Sequence, residues 1–130
     1  MSCWHASARM LIAYKQLASA NPLPDAYKGN GGLSATQFID LARAMGLFTL
    51  PPIAASYDVS YLNDRLSRNG PIWAAGTWNG ANHIVVITGA DDNGTLYVND
   101  PAFPAPVIRD MTWFNDRLAR TVPVALMYLP

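Results

Sequence analysis

Residues 83–101 have the sequence HIVVITGADDNGTLYVNDP, and this stretch decides the fold. Two runs rich in β-branched and aromatic residues, HIVVITGA and TLYVNDP, flank the turn-forming residues DDNG. Such runs around a short Asp/Asn/Gly turn are typical of a β-hairpin. The preceding stretch PIWAAGTW (71–78) predicts a further, buried strand. We therefore predict an antiparallel sheet in the second half of the chain.

The first half of the chain has helical periodicity. Residues 4–18 contain strong helix formers and neither glycine nor proline, which predicts a mostly buried helix. Residues 21–32 hold two prolines and three glycines and predict a loop. A second helix is expected to begin at a capping box formed by Ser34 and Gln37. Gly46 is expected to end it.

Shorter elements complete the predicted order. YLNDRLSRNGP (61–71) predicts a short helix that the Asn-Gly-Pro sequence ends, and MTWFNDRLA (111–119) predicts another. VPVALMYLP (122–130) predicts the last strand. Because helices come first and an antiparallel sheet follows, the fold class is α+β, with the N-terminal helices packed on the sheet.

Composition and charge limit the possible functions. The 130 residues carry nine basic and nine acidic side chains, so there is no basic stripe to bind nucleic acid or an anionic membrane surface. No apolar run is long enough to span a bilayer, and residues 1–20 lack the regions of a signal peptide. The single cysteine allows no internal disulfide, which favours a reducing compartment such as the cytosol. We expect one domain over residues 1–130 and a monomer.

The single cysteine is also a candidate nucleophile. Cys3 stands at the predicted N-terminus of the first helix, where the thiol pKa falls, as it does beside a protonated imidazole. The general base must be His5 or His83, the two histidines of the chain. Residues two apart on a helix point in nearly opposite directions, so His5 cannot readily reach the sulfur of Cys3. His83 is therefore favoured as the base. One cysteine and two histidines fit no zinc pattern, and we expect no metal and no cofactor.

An imidazole base needs an orienting partner, usually Asp or Asn. If residues 91–94 form a four-residue loop, Asp100 lies opposite Val85, diagonal to His83 and about 7 Å from it. A two-residue turn would require a bulge to bring Asp100 close, and a three-residue loop would place Asn99 there instead. We predict Asp100, with Asn99 as the alternative.

Three stretches resemble papain-like cysteine peptidases: CWHASARMLIAYK (3–15), LSRNGPIWAAG (66–76) and NHIVVITGADDNGTLYVNDPAF (82–103). The resemblance is to the compact bacterial kinds near the bacteriocin-processing, staphopain and plant-pathogen effector groups. In their pattern, Cys-Trp begins the central helix and a Gly-Pro-aromatic strand follows. A strand-initial histidine then precedes a Val-rich run and Asn-Asp-Pro.

The resemblance implies a role for each matching residue. Cys3 would be the nucleophile, His83 the general base and Asp100 the residue that orients the imidazole. The family also places a glutamine a few residues before the cysteine, where its amide helps to bind the oxyanion. This sequence begins too late to include that glutamine, and loss of one oxyanion donor costs about 100- to 1,000-fold in turnover. Because Met1 stands so close to Cys3, we expect that an upstream segment is missing.

The same resemblance implies residues that flank the substrate cleft. These are Trp4, Trp78 and the polar loop TWNGAN, which includes Asn82. The two tryptophans could equally be core side chains, as Trp73 and Trp113 are expected to be.

The expected activity is that of a cysteine endopeptidase that cleaves a protein substrate by acyl transfer. By the same resemblance, the protein would be the toxic domain of a bacterial effector that acts in the cytosol of a target cell, with an immunity protein as partner. An amidase, a deamidase or a transglutaminase would use the same order of thiol, imidazole and acid. A domain that lost its oxyanion glutamine could instead be a non-catalytic binding module.

Overall fold

The computed structural model of the protein describes residues 6–11, 35–53, 55–120 and 125–130. The helices in these ranges are α1 (6–11), α2 (Ala35–Met45), α3 (Val59–Asn69) and α4 (Met111–Arg117). The strands are β1 (Phe48–Thr49), β2 (Ile72–Gly76), β3 (His83–Ala90), β4 (Thr95–Asn99), β5 (Val107–Asp110) and β6 (Leu126–Tyr128).

The strands form one antiparallel sheet in the order β1-β6-β2-β3-β4-β5. β3 and β4 are the predicted hairpin, β2 is the predicted strand beside it, and β6, the predicted last strand, lies on the other side of β2. The α+β prediction is therefore confirmed. The sequence did not predict β1 and β5, the two edge strands, because runs of two and four residues are too short to show a clear alternation.

Local signals explain where the helices begin and end. α2 ends at Met45, and Gly46 adopts φ +73°, as the stop signal predicted. α3 begins at Val59, two residues before the predicted start, because the carboxylate of Asp58 accepts a hydrogen bond from the Tyr61 N–H at 2.9 Å. The proposed Ser34 cap, the loop at 21–32 and most of the predicted helix at 4–18 lie outside the described residues. The helix is confirmed over 6–11.

Helices cover both faces of the central strands. On one face, α1 and α2 contribute Leu11 and Leu41 to a cluster that includes Trp73 of β2. On the other face, α3 and α4 contribute Leu62 and Phe114 to a second cluster. All five residues of β2 are consequently buried, as expected for a strand with helices on both faces. Packing of the N-terminal helices on the sheet is as predicted.

None of the helices within the described ranges has both the length and the apolar character needed to cross a membrane.

Candidate active site

The β3–β4 hairpin begins one residue out of the predicted register. A four-residue loop would place Ala90 opposite Thr95, whereas Ala90 pairs with Leu96. A bulge between Ile87 and Gly89 then shifts the pairing by one residue. The bulge therefore takes up the offset that the turn introduces.

Beyond the bulge the pairing returns to the predicted register, and Val86 lies opposite Asn99. Cross-strand partners share a face of the sheet, and successive residues alternate between faces. Asn99 therefore lies on the face opposite that of His83. Asp100, one residue further, lies on the same face as His83 and contacts it, which Asn99 does not.

His83 and Asp100 form a close pair at the end of the sheet. His83 Nε2 lies 2.5 Å from Asp100 Oδ1, and their side chains are 11% and 2% exposed. An ionised carboxylate can only accept hydrogen bonds, so His83 Nε2 carries the hydrogen and donates it. In the neutral ring, Nδ1 then has the free lone pair. This atom has no hydrogen-bond partner among the described residues, so it can accept a proton from an approaching thiol.

Two further groups donate hydrogen bonds to the Asp100 carboxylate. The backbone N–H of Ala102 donates to Oδ1 at 2.9 Å, and the side-chain amide of Asn79 donates to Oδ2 at 3.1 Å. The N–H of Phe103 donates to the carbonyl of Asp100 at 3.0 Å, which closes a turn around this residue. The sequence analysis missed Asn79. The available signal was an amide side chain in the short loop that leads from β2 to His83.

Burial and hydrogen bonding act in opposite directions on the pKa of Asp100. Burial, the largest single effect, raises the pKa, because the charged form loses solvation. The hydrogen bonds from His83, Ala102 and Asn79, together with the attraction of the His83 charge, lower it. The net result is a pKa below the ordinary value of 3.8. Asp100 is therefore ionised at neutral pH and can fix the tautomer of His83.

This lowered pKa predicts a pH-dependent contribution to stability. An acid whose pKa is lower in the folded state stabilises the fold above its unfolded pKa of about 3.9, and this contribution is lost as the pH falls through the folded value. We expect Asp100→Asn to lower the free energy of unfolding by about 2 kcal/mol at pH 6, because hydrogen bonds to a charged acceptor are lost. The difference from the wild type should shrink between pH 4 and 2. Urea unfolding at a series of pH values measures it, and a difference that stays constant over this range contradicts the prediction.

The first helix is tied to the strand that carries His83. The hydroxyl of Ser7, which is fully buried, donates a hydrogen bond to the carbonyl of Ile84 at 3.3 Å. Ile84 directly follows His83, the first residue of β3. Cys3 and Trp4, the predicted nucleophile and its neighbour, lie outside the described residues.

Trp78 is a core side chain, which is the alternative that the sequence left open beside a place at the cleft. It is 2% exposed, stacks on Trp113 and Phe114 with ring centroids 4.5 and 5.7 Å away, and donates from Nε1 to the carbonyl of Ala74 at 3.0 Å. Its ring belongs to the second core cluster, so almost none of its surface is accessible to a substrate. Asn82, the other expected cleft residue within the described ranges, is exposed beside His83.

The remaining tryptophans of the described ranges differ from each other. Trp73 is 1% exposed and belongs to the core, as expected. Trp113, also expected in the core, is partly exposed and covers one side of the Trp78 ring. No group of three His, Cys, Asp or Glu side chains within the described residues could hold a metal ion.

The fold and this site together define a class of protein. An α+β fold in which a carboxylate after one strand orients the histidine that begins the neighbouring strand is that of a papain-like cysteine peptidase. Residues 1–119 match the family of the papain-like cysteine protease AvrRpt2. Because the match covers 119 of the 130 residues, the chain belongs to this family and is a cysteine peptidase. The resemblance seen in the sequence is confirmed.

Proposed function

We propose that Cys3, His83 and Asp100 form a catalytic triad that cleaves peptide bonds in a protein substrate. The observation that carries this proposal is the pairing of His83 Nε2 with a buried, ionised Asp100, which directs Nδ1 away from the carboxylate. An imidazole oriented in this way is suited to deprotonate a thiol and to protonate a leaving amine.

The position of Cys3 in the chain supports its role as the nucleophile. It is the only cysteine, and it precedes Ser7 by four residues. Four residues extend over at most about 14 Å, and Ser7 is bonded to Ile84, next to His83. His83 is the first residue of β3 and therefore lies at the end of the sheet. A start of the helix near Cys3 would also favour the thiolate.

The reaction proceeds by acyl transfer in two halves. The Cys3 thiolate attacks the carbonyl carbon of the scissile peptide, and His83 gives its proton to the leaving amine as the C–N bond breaks. The product is a thioester on Cys3. His83 then takes a proton from water, which attacks the thioester and releases the carboxylic acid and the thiol. Asp100 holds the imidazole in the required tautomer throughout. Asn82, exposed beside His83, and Trp4 would contact the substrate.

The biological role that we propose is that of an effector toxin acting in the cytosol of a target cell. This rests on the resemblance of the Cys-Trp, His-Ile-Val-Val and Asn-Asp-Pro stretches to those of compact bacterial effector peptidases. A cognate immunity protein that covers the site of His83 would then protect the producing cell.

The type of reaction can be tested by mass spectrometry of treated cell lysates. We expect the wild-type protein to generate new peptide N-termini that Cys3→Ala does not generate. Mass gains of about one dalton at Asn or Gln would instead indicate a deamidase, and joined peptides a transglutaminase, since one thioester chemistry leads to all three products. Either of these results without new N-termini contradicts the proposal.

A further inference from the structure

We propose that Asn79 is a positioning residue. Its hydrogen bond to Oδ2 of Asp100 holds the carboxylate in the orientation in which Oδ1 contacts His83. This inference deepens the proposed function and rests on it. Among the described residues, Asn79 is the side chain that donates to Oδ2, at 3.1 Å, whereas His83 and the Ala102 N–H both donate to Oδ1.

The distribution of donors explains why Asn79 matters. The terminal torsion of an aspartate is broad, so a carboxylate bonded at one oxygen alone can rotate. Asn79 bonds the second oxygen from a different loop and thereby fixes the plane of the carboxylate. Asn82, in the same loop, makes no side-chain hydrogen bond with any described residue and cannot replace it.

The loop that carries Asn79 is itself anchored, although the asparagine is exposed. The N–H of Thr77 donates to the carbonyl of Arg117 at 2.8 Å, and the N–H of Gly80 donates to the carbonyl of Thr77 at 3.1 Å. Between them, the ring of Trp78 is buried against α4. The backbone at Asn79 is thus fixed on both sides, and its amide is presented to Asp100 at little cost in conformational entropy.

Alkylation of Cys3 by iodoacetamide tests the role of Asn79. An unpaired thiol gains reactivity only around pH 8 to 9, whereas a thiolate paired with imidazolium reacts near pH 5 to 6. We expect the wild-type chain to show this acid reactivity and His83→Ala to lack it. In Asn79→Ala the rate at pH 5.5 should fall about threefold to tenfold, with little change at pH 9.

Asn79→Asp provides the matched variant, because it keeps the shape of the side chain but replaces the donor with a second carboxylate beside Asp100. Repulsion between the two carboxylates should disturb the pairing of Asp100 with His83. We expect the alkylation rate of Cys3 at pH 5.5 to fall at least as much as in Asn79→Ala. Asn93→Ala, in the exposed turn at the far end of the hairpin, should react like the wild type. If Asn79 acted only through packing, Asn79→Asp, which keeps the shape of the side chain, would keep the wild-type alkylation rate at pH 5.5. The two variants therefore separate positioning from packing.

The outcomes distinguish this inference from the function on which it rests. If the wild-type chain shows no His83-dependent reactivity at low pH, the proposed triad is wrong. If the wild-type chain shows this reactivity and both Asn79 variants keep the wild-type alkylation rate at pH 5.5, the proposed triad stands and the role of Asn79 is overturned. Circular dichroism of each variant establishes that it is folded. Nitrogen NMR of the His83 ring at pH 8, with Cys3→Ala in every protein so that no thiolate holds the ring as imidazolium, gives a second readout: we expect both Asn79 variants to lose part of the Nε2–H tautomer, and an unchanged tautomer contradicts positioning.

Discussion

His83→Ala is expected to lower the rate of peptide cleavage by about 10⁴-fold or more, because the variant loses both the base that generates the thiolate and the acid that protonates the leaving amine. Members of a catalytic triad act as a unit, so the loss should equal that of Cys3→Ala rather than add to it. A fluorogenic peptide taken from a mapped cleavage site measures kcat/KM for the single variants and the double variant.

The other histidine of the chain provides the control. We expect His5→Ala to keep the wild-type rate, because residues two apart on the helix predicted from the sequence would point in nearly opposite directions. A His83→Ala variant that retains more than about a hundredth of the wild-type kcat/KM contradicts the assignment of His83 as the base. Equal losses in the two histidine variants would require that His5 also acts at the site.

Trp78→Ala is expected to destabilise the protein by about 3 to 5 kcal/mol, the usual cost of removing a buried aromatic side chain. The ring stacks on Trp113 and Phe114, and its Nε1–H donates a hydrogen bond to the carbonyl of Ala74. The truncation therefore leaves a cavity in the core and removes this hydrogen bond. Unfolding by urea, followed by the circular dichroism of the backbone, measures the change.

Two variants separate the parts of this effect. Trp78→Phe keeps an aromatic ring but loses the hydrogen bond to Ala74, and we expect it to cost less than Trp78→Ala. Tyr97→Ala removes an aromatic side chain that is 41% exposed, so its cost should stay below about 1 kcal/mol. If Trp78→Ala costs no more than Tyr97→Ala, Trp78 is not the core side chain described above.

Part of the site could be predicted from sequence because it depends on alternation along two strands. The β-branched runs around DDNG predict the hairpin, and alternation places either Asp100 or Asn99 on the face of His83. The sequence could not choose among the three turn registers. The choice of Asp100 was correct for the contact with His83 only because the bulge between Ile87 and Gly89 compensates for the offset at the turn. A bulge depends on the packing of neighbouring strands, which no local pattern records.

The sequence by itself determined the α+β class, the β3–β4 hairpin and the histidine that begins it, since these follow from local periodicity and residue chemistry. Only the tertiary structure decided whether Asp100 or Asn99 contacts His83, which amide supports Asp100 and which tryptophan belongs to the core. Asn79 lies 21 residues before Asp100, and the ring of Trp78 is buried by α4, more than 30 residues later. Contacts over such separations arise when the sheet and helices pack, and local periodicity does not encode them.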